Sequence, residues 1–224
     1  MSRSFLPAVA LIAGLGLVSL AAPRAVGGFA ELPARPVVAA LRTGEKIAAH
    51  QLAIAVEAQA TAIGWVDDGR GRTALGLLRY EQGRQNDFAG ADGTARLNQA
   101  IAAHRRGLRR APAQAYAWVR LAHAELLRHG PRRGLGPLLE LAVASAPFDR
   151  RLVFRRLELG FLAWRRLDPQ ARVLVGRDAR FAAGFSPRRL AALAKRRYAA
   201  AIVRAVLVDA PHLRQAFDDA LRQL

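Results

Sequence analysis

An all-α fold is predicted by three features of the chain. Beyond the N-terminal segment, apolar residues recur at intervals of three and four, and no stretch carries the strict alternation of a half-buried strand. Pro, Gly and acidic residues interrupt the pattern at helix-length spacings, as stop and start signals do. With 52% hydrophobic and 23% charged residues the chain is too apolar to be disordered, and much of that apolar fraction is Ala, the strongest helix former. At 224 residues it is long enough to bury a core.

The first element is an apolar run. Between Ser4 and Pro23 there is no charge, and Phe5 to Ala22 is apolar nearly throughout. About 20 helical residues span about 30 Å, the thickness of a bilayer's hydrocarbon core. Arg3 supplies a positive leader, and Ser19-Leu20-Ala21 offers small residues where signal peptidase reads them. Residues 1–23 therefore read as a signal peptide or a transmembrane anchor. The run is longer than the usual signal core and Pro23 lies just past the cleavage candidate, which favours the anchor. The expected location is an inner-membrane anchor with an extracytoplasmic, periplasmic domain; secretion to the periplasm after cleavage is the alternative. Pro23, Gly27, Gly28, Pro33 and Pro36 give residues 24–36 the breaker density of a linker, so the folded domain is expected over 37–224.

Helices are then predicted over 45–64, from the Asp67-Asp68 cap to a stop at Gly83, and over 94–110, 113–129, 132–146, 149–166, 169–183, 187–208 and 211–223. The links are short, which makes neighbours antiparallel hairpins. Trp118, Leu121 and Ala122 on one helix, Gly130 and Gly134 at the turn, Leu138, Leu139 and Ala142 on the next, and Pro147 at the end follow a spaced pattern. That pattern resembles a tetratricopeptide repeat, and the 35-residue interval from Pro112 to Pro147 is close to the family's period of about 34. The resemblance covers roughly 73–185. It implies hairpins stacked as a right-handed solenoid behind the N-terminal apolar helix, with a groove that binds partner proteins and performs no chemistry of its own. It also resembles small anchored repeat proteins accessory to bacterial cell-surface polysaccharide synthesis or export.

The formal charge of +18 is carried by 33 Arg and only 2 Lys against 17 acids. Such a field attracts anionic polymers and surfaces. Eight Arg-Arg pairs occur, among them Arg105-Arg106, Arg109-Arg110 and Arg132-Arg133, the candidate contacts for an anionic glycan, lipid headgroups or RNA. Aromatics are not interleaved with them; Trp118, Phe154, Phe161 and Trp164 lie on apolar stripes and are expected in the core, so sequence-specific nucleic-acid reading is not expected.

Signatures of chemistry are sparse. Without cysteine there is no disulfide, thiolate nucleophile or Cys-ligated metal. His50, His104, His123, His129 and His212 form no ligand spacing, Gly69-Arg70-Gly71-Arg72 lacks the lysine and length of a phosphate loop, and adjacent acids such as Asp218-Asp219 diverge on a helix. No catalytic residue, cofactor or metal is expected. The sequence reads as a non-catalytic helical scaffold or adaptor at the bacterial cell envelope, with an Arg-rich electrostatic binding module as the alternative.

Overall fold

The computed structural model describes residues 5–132 and 134–224; Arg3 and Arg133 lie outside them. Among the described residues there are twelve α-helices and no strand. Backbone contacts divide the chain into two compact units, Met1–Ala111 and Pro112–Leu224, each with its own buried apolar cluster.

The first unit holds α1 (Phe5–Ala30), α2 (Ala34–Thr43), α3 (Ala49–Trp65), α4 (Gly69–Gln85) and α5 (Ala91–Arg110). From Val9 to Ala22 every side chain of α1 is exposed, and Val9–Ala30 is long and apolar enough to cross a membrane. The linker expected over 24–36 is instead mostly helical. Three of its breakers, Gly27, Pro33 and Pro36, occupy places where they do little harm, while Pro23 lies inside α1. Gly27 is a close-approach site, where a Cβ would lie 3.3 Å from that of Trp65 and 3.4 Å from the Ala62 carbonyl oxygen. Pro33 and Pro36 fall at the start of α2, where backbone N–H groups lack intrahelical partners in any case. Gly44, at φ 88°, ends α2 in the left-handed conformation that only glycine adopts without strain.

Ala34 and Val38 of α2, Leu52, Ala55 and Val56 of α3, and Ala74, Leu77 and Leu78 of α4 form the first core. Asp68 caps α4, accepting from the Gly71 N–H at 2.6 Å. The predicted stop at Gly83 is overrun by two residues, because Gly83 is buried against Phe88 and the Gly93 carbonyl rather than acting as a cap. Helices α4 and α5 run antiparallel and very close. A Cβ at Gly69 would meet the Gly107 carbonyl oxygen at 2.7 Å, and one at Gly76 would meet the His104 ring at 2.8 Å.

The second unit holds α6 (Ala115–His129), α7 (Leu135–Ser145), α8 (Val153–Ala163), a 3-10 turn at Trp164–Arg166, α9 (Pro169–Phe185), α10 (Pro187–Arg196), α11 (Ala200–Val206) and α12 (Pro211–Arg222). Leu121, Leu135, Leu139, Leu157, Leu190, Leu207 and Phe217 are its largest fully buried apolar side chains. Phe154 and Phe161 are buried as expected, while Trp118 and Trp164 pack only partly against the core. The single helix expected over 187–208 is two, because Tyr198 takes φ 53° between α10 and α11. That break lets Leu190 and Leu193 on one side, and Val203 and Leu207 on the other, enter the same core.

Candidate functional site

The arginines singled out by the sequence fall in both units. Arg105, Arg106, Arg109 and Arg110 lie exposed near the C-terminal end of α5, because Leu97, Ala100, Ile101, His104, Gly107 and Leu108 take its buried face. Arg132 belongs to the other unit, in the turn between α6 and α7, and its guanidinium is held by the buried Glu125 carboxylate. Arg133 lies outside the described residues.

Asp67 organises the α5 group. Its carboxylate accepts from Arg72 Nη2 at 2.7 Å and pairs with Arg110 Nη2 at 2.9 Å. The hydrogen bond from Arg72 holds the Asp67 carboxyl below the usual carboxylate range, against a smaller effect of burial, with Arg72, Arg110 and Arg106 adding positive potential. Arg70, Arg106 and Arg109 have no carboxylate partner among the described residues. The cap expected at Asp67-Asp68 is made by one of the two acids. Only Asp68 caps, and Asp67 instead orients two guanidinium groups.

The repeat-signature residues are all in the second unit. Leu121, Ala122 and Ala142 are fully buried, Trp118 and Leu138 pack against the core that holds Ala122 and Ala142, and the Trp118 indole N–H donates to the Pro112 carbonyl at 2.7 Å. Gly134 does not act as the small residue of a close contact: a Cβ there would meet nothing within 4 Å. Gly136 does so, since a Cβ there would stand 2.7 Å from Asp168 Oδ2 and 3.3 Å from the Ala171 Cβ. The Pro147 carbonyl accepts from Arg156 Nη2 at 3.3 Å.

Arg156 was missed as a special residue. It belongs to one of the eight Arg-Arg pairs, Arg155-Arg156, yet is 1% exposed, with Nε and Nη2 donating to Asp178 at 2.7 and 3.0 Å and Nη1 to the Ala146 carbonyl at 2.7 Å. Burial pushes the Asp178 carboxyl up, opposed by the Arg156 guanidinium. The signal was helical phase, because Arg156 shares the stripe of Val153 and Gly160, both buried. Close by on the sequence, Glu158 pairs with both Arg155 and Arg197. These pairs join α8 to α9 and to the end of α10 and act as structural ties.

Among the described residues no three His, Asp or Glu side chains group as metal ligands. A groove between α1, α3 and α4 is lined by Arg24, Glu31, Gln59 and Asp68, with the buried Gln59 Oε1 lacking a hydrogen-bond partner. An apolar groove between α2 and α3 is lined by Pro36, Val37, Ile47 and Ile54. The chain matches no protein-family model, no curated protein and no solved structure.

Proposed function

We propose that this chain is a membrane-tethered, non-catalytic helical scaffold that holds partner proteins of a bacterial envelope complex, with its helical units on the extracytoplasmic side. The observation that carries the reading is α1. Its apolar side chains are exposed from Val9 to Ala22, and it then runs directly into a helical unit through the Gly27 contact with α3. Exposing that much contiguous apolar surface to water is unfavourable by about 25 cal/mol per Å², a cost that a bilayer removes. The antiparallel hairpin of α6 and α7, with Trp118, Ala122 and Ala142 in one core, supports the tetratricopeptide-like reading and hence the adaptor role. A service to surface polysaccharide synthesis or export is part of this proposal.

Affinity capture of the full chain from solubilised membranes, with low- and high-salt washes, tests it. A defined, stoichiometric protein set that survives high salt is expected. Sequencing the N-terminus of the captured chain separates an anchor, which starts at the initiator end, from a signal cleaved near Ala21. Recovery of only salt-labile polymer or lipid would favour a second reading, an electrostatic module. That reading draws on one observation, the gathering of Arg72, Arg106 and Arg110 around Asp67, with Arg70 and Arg109 exposed on the same helix ends.

A further inference from the structure

The arginine cluster has a definite position relative to the apolar helix. Gly27, four residues past Pro23, rests on Ala62, Trp65 and Val66 at the C-terminal end of α3. The start of α4 follows immediately, and Gly69 of α4 lies against Gly107 and Ala111 at the end of α5. The end of α3, the start of α4 and the end of α5 are therefore gathered where α1 leaves its charge-free stretch. That stretch, Phe5 to Pro23, is 19 residues. As a helix it is about 28 Å long, close to the hydrocarbon thickness of a bilayer. Arg24 then falls at the headgroup level, and Trp65, 53% exposed beside Gly27, sits where interfacial tryptophans concentrate.

Charge is distributed unevenly along the same unit. Its membrane-facing half carries Arg24, Arg70, Arg72, Arg105, Arg106, Arg109 and Arg110 against only Asp67 and Asp68. Glu31, one turn further along, is neutralised by Arg35 at 3.3 Å. Over the rest of the unit's described residues, Arg42, Lys46, Arg79, Arg84 and Arg96 face Glu45, Glu57, Glu81, Asp87 and Asp92, and the charges cancel. The positive excess of this unit's described residues thus stands at one end. Compositional preference for arginine would not place it there.

We infer that the α1-proximal end of the first unit is a docking surface for anionic phospholipid headgroups, with Arg70, Arg106 and Arg109 as the contacting cations and Trp65 as the interfacial anchor. Asp67 holds Arg72 and Arg110 in place while leaving each a free edge of N–H donors, since one carboxylate cannot use all the donors of two guanidinium groups. Juxtamembrane arginines are attracted to anionic leaflets over roughly one Debye length, and guanidinium groups match phosphate bidentately. The surface fixes the tilt and rotation of the unit on the bilayer, which the apolar helix alone does not. The inference rests on the anchoring reading above.

The test uses the full chain reconstituted into bilayers of equal parts phosphatidylcholine and phosphatidylglycerol, re-extracted in mild detergent, with the two retained lipids quantified by mass spectrometry. Phosphatidylglycerol is expected at about fivefold over its bulk ratio, declining at high salt. The ratio should return to bulk in R70Q/R106Q/R109Q and stay enriched in R42Q/K46Q/R96Q, with circular dichroism unchanged in both. A bulk ratio in the unmodified chain, or equal loss in the two triple variants, overturns the proposal while leaving anchoring intact. Release of the chain from vesicles by alkaline wash overturns both. Retention of added heparin or polyuridylate without phosphatidylglycerol enrichment assigns the cluster to a soluble polymer and overturns the lipid surface.

Discussion

At the scale of single residues, the molecule depends on glycines whose hydrogen faces another helix. Gly107 has the Gly69 carbonyl oxygen and the Thr73 side chain each 2.7 Å from where a Cβ would be. A Gly107→Ala substitution gains helix propensity of about 1 kcal/mol but forces α4 and α5 apart, and overpacking of this kind costs about 1–3 kcal/mol. The net expectation is a loss of up to about 2 kcal/mol in chemical denaturation. An exposed control, Gly14→Ala, should cost nothing measurable. Tyr198 presents the opposite case. It is 96% exposed at φ 53°, so Tyr198→Gly relieves left-handed strain while losing little contact, and a gain of about 1 kcal/mol is expected.

His123 gives a residue-scale pH dependence. Burial lowers its affinity for a proton, and the positive charges of Arg155 and Arg197 outweigh the opposing pull of Glu158. The folded chain therefore binds a proton at His123 less tightly than the unfolded chain, whose imidazole titrates near 6.5. Stability from this group is present above that pH and lost as pH falls through the depressed folded value. Denaturation midpoints of the unmodified chain should decline from pH 7.5 towards pH 5, and His123→Gln should flatten that slope. An unchanged slope in the variant would assign it to other groups.

At the scale of elements, α1 and α5 illustrate two kinds of exposed face. The exposed face of α1 is apolar and has no water-compatible partner within its unit between Val9 and Ala22. Leu15→Arg puts a charge near the centre of the span, at a cost of about 2.5–3.5 kcal/mol for insertion. Retention in membranes after alkaline carbonate extraction is expected to fall in that variant and to persist in Leu15→Ala. The exposed face of α5 is cationic, and helix periodicity alone reveals it, since Arg105, Arg106 and Arg109 avoid the Leu97, Ile101 and Leu108 stripe. What periodicity does not reveal is which other elements share its end. Asp67 and Arg72 arrive there through the close α4–α5 approach, which depends on glycines that look like breakers in a one-dimensional reading.

At the scale of the whole molecule, each unit has its own core. Leu78→Ala in the first and Phe217→Ala in the second remove fully buried side chains, and losses of about 2–5 and 3–5 kcal/mol are expected. Hydrogen exchange should place the faster-exchanging amides in α2 to α4 for the former and in α9 to α12 for the latter. A uniform rise over all helices in either variant would show that the cores unfold as one.

The sequence by itself determined the all-helical class, nearly every helix from α3 onward and the apolar character of α1, because these follow from local spacing of apolar, capping and breaking residues. Tertiary structure decided the rest. It made helix of the segment from Arg24 to Pro36, since Gly27 acquires a partner helix and Pro33 and Pro36 fall on a first turn. It split 187–208 at Tyr198, so that both halves could face one core. It buried Arg156 against Asp178, 22 residues away, and gave the arginines of α5 a common end with α1. Local chemistry specifies what a helix is, whereas the ends that meet depend on contacts between residues far apart in the chain, which no short window of sequence contains.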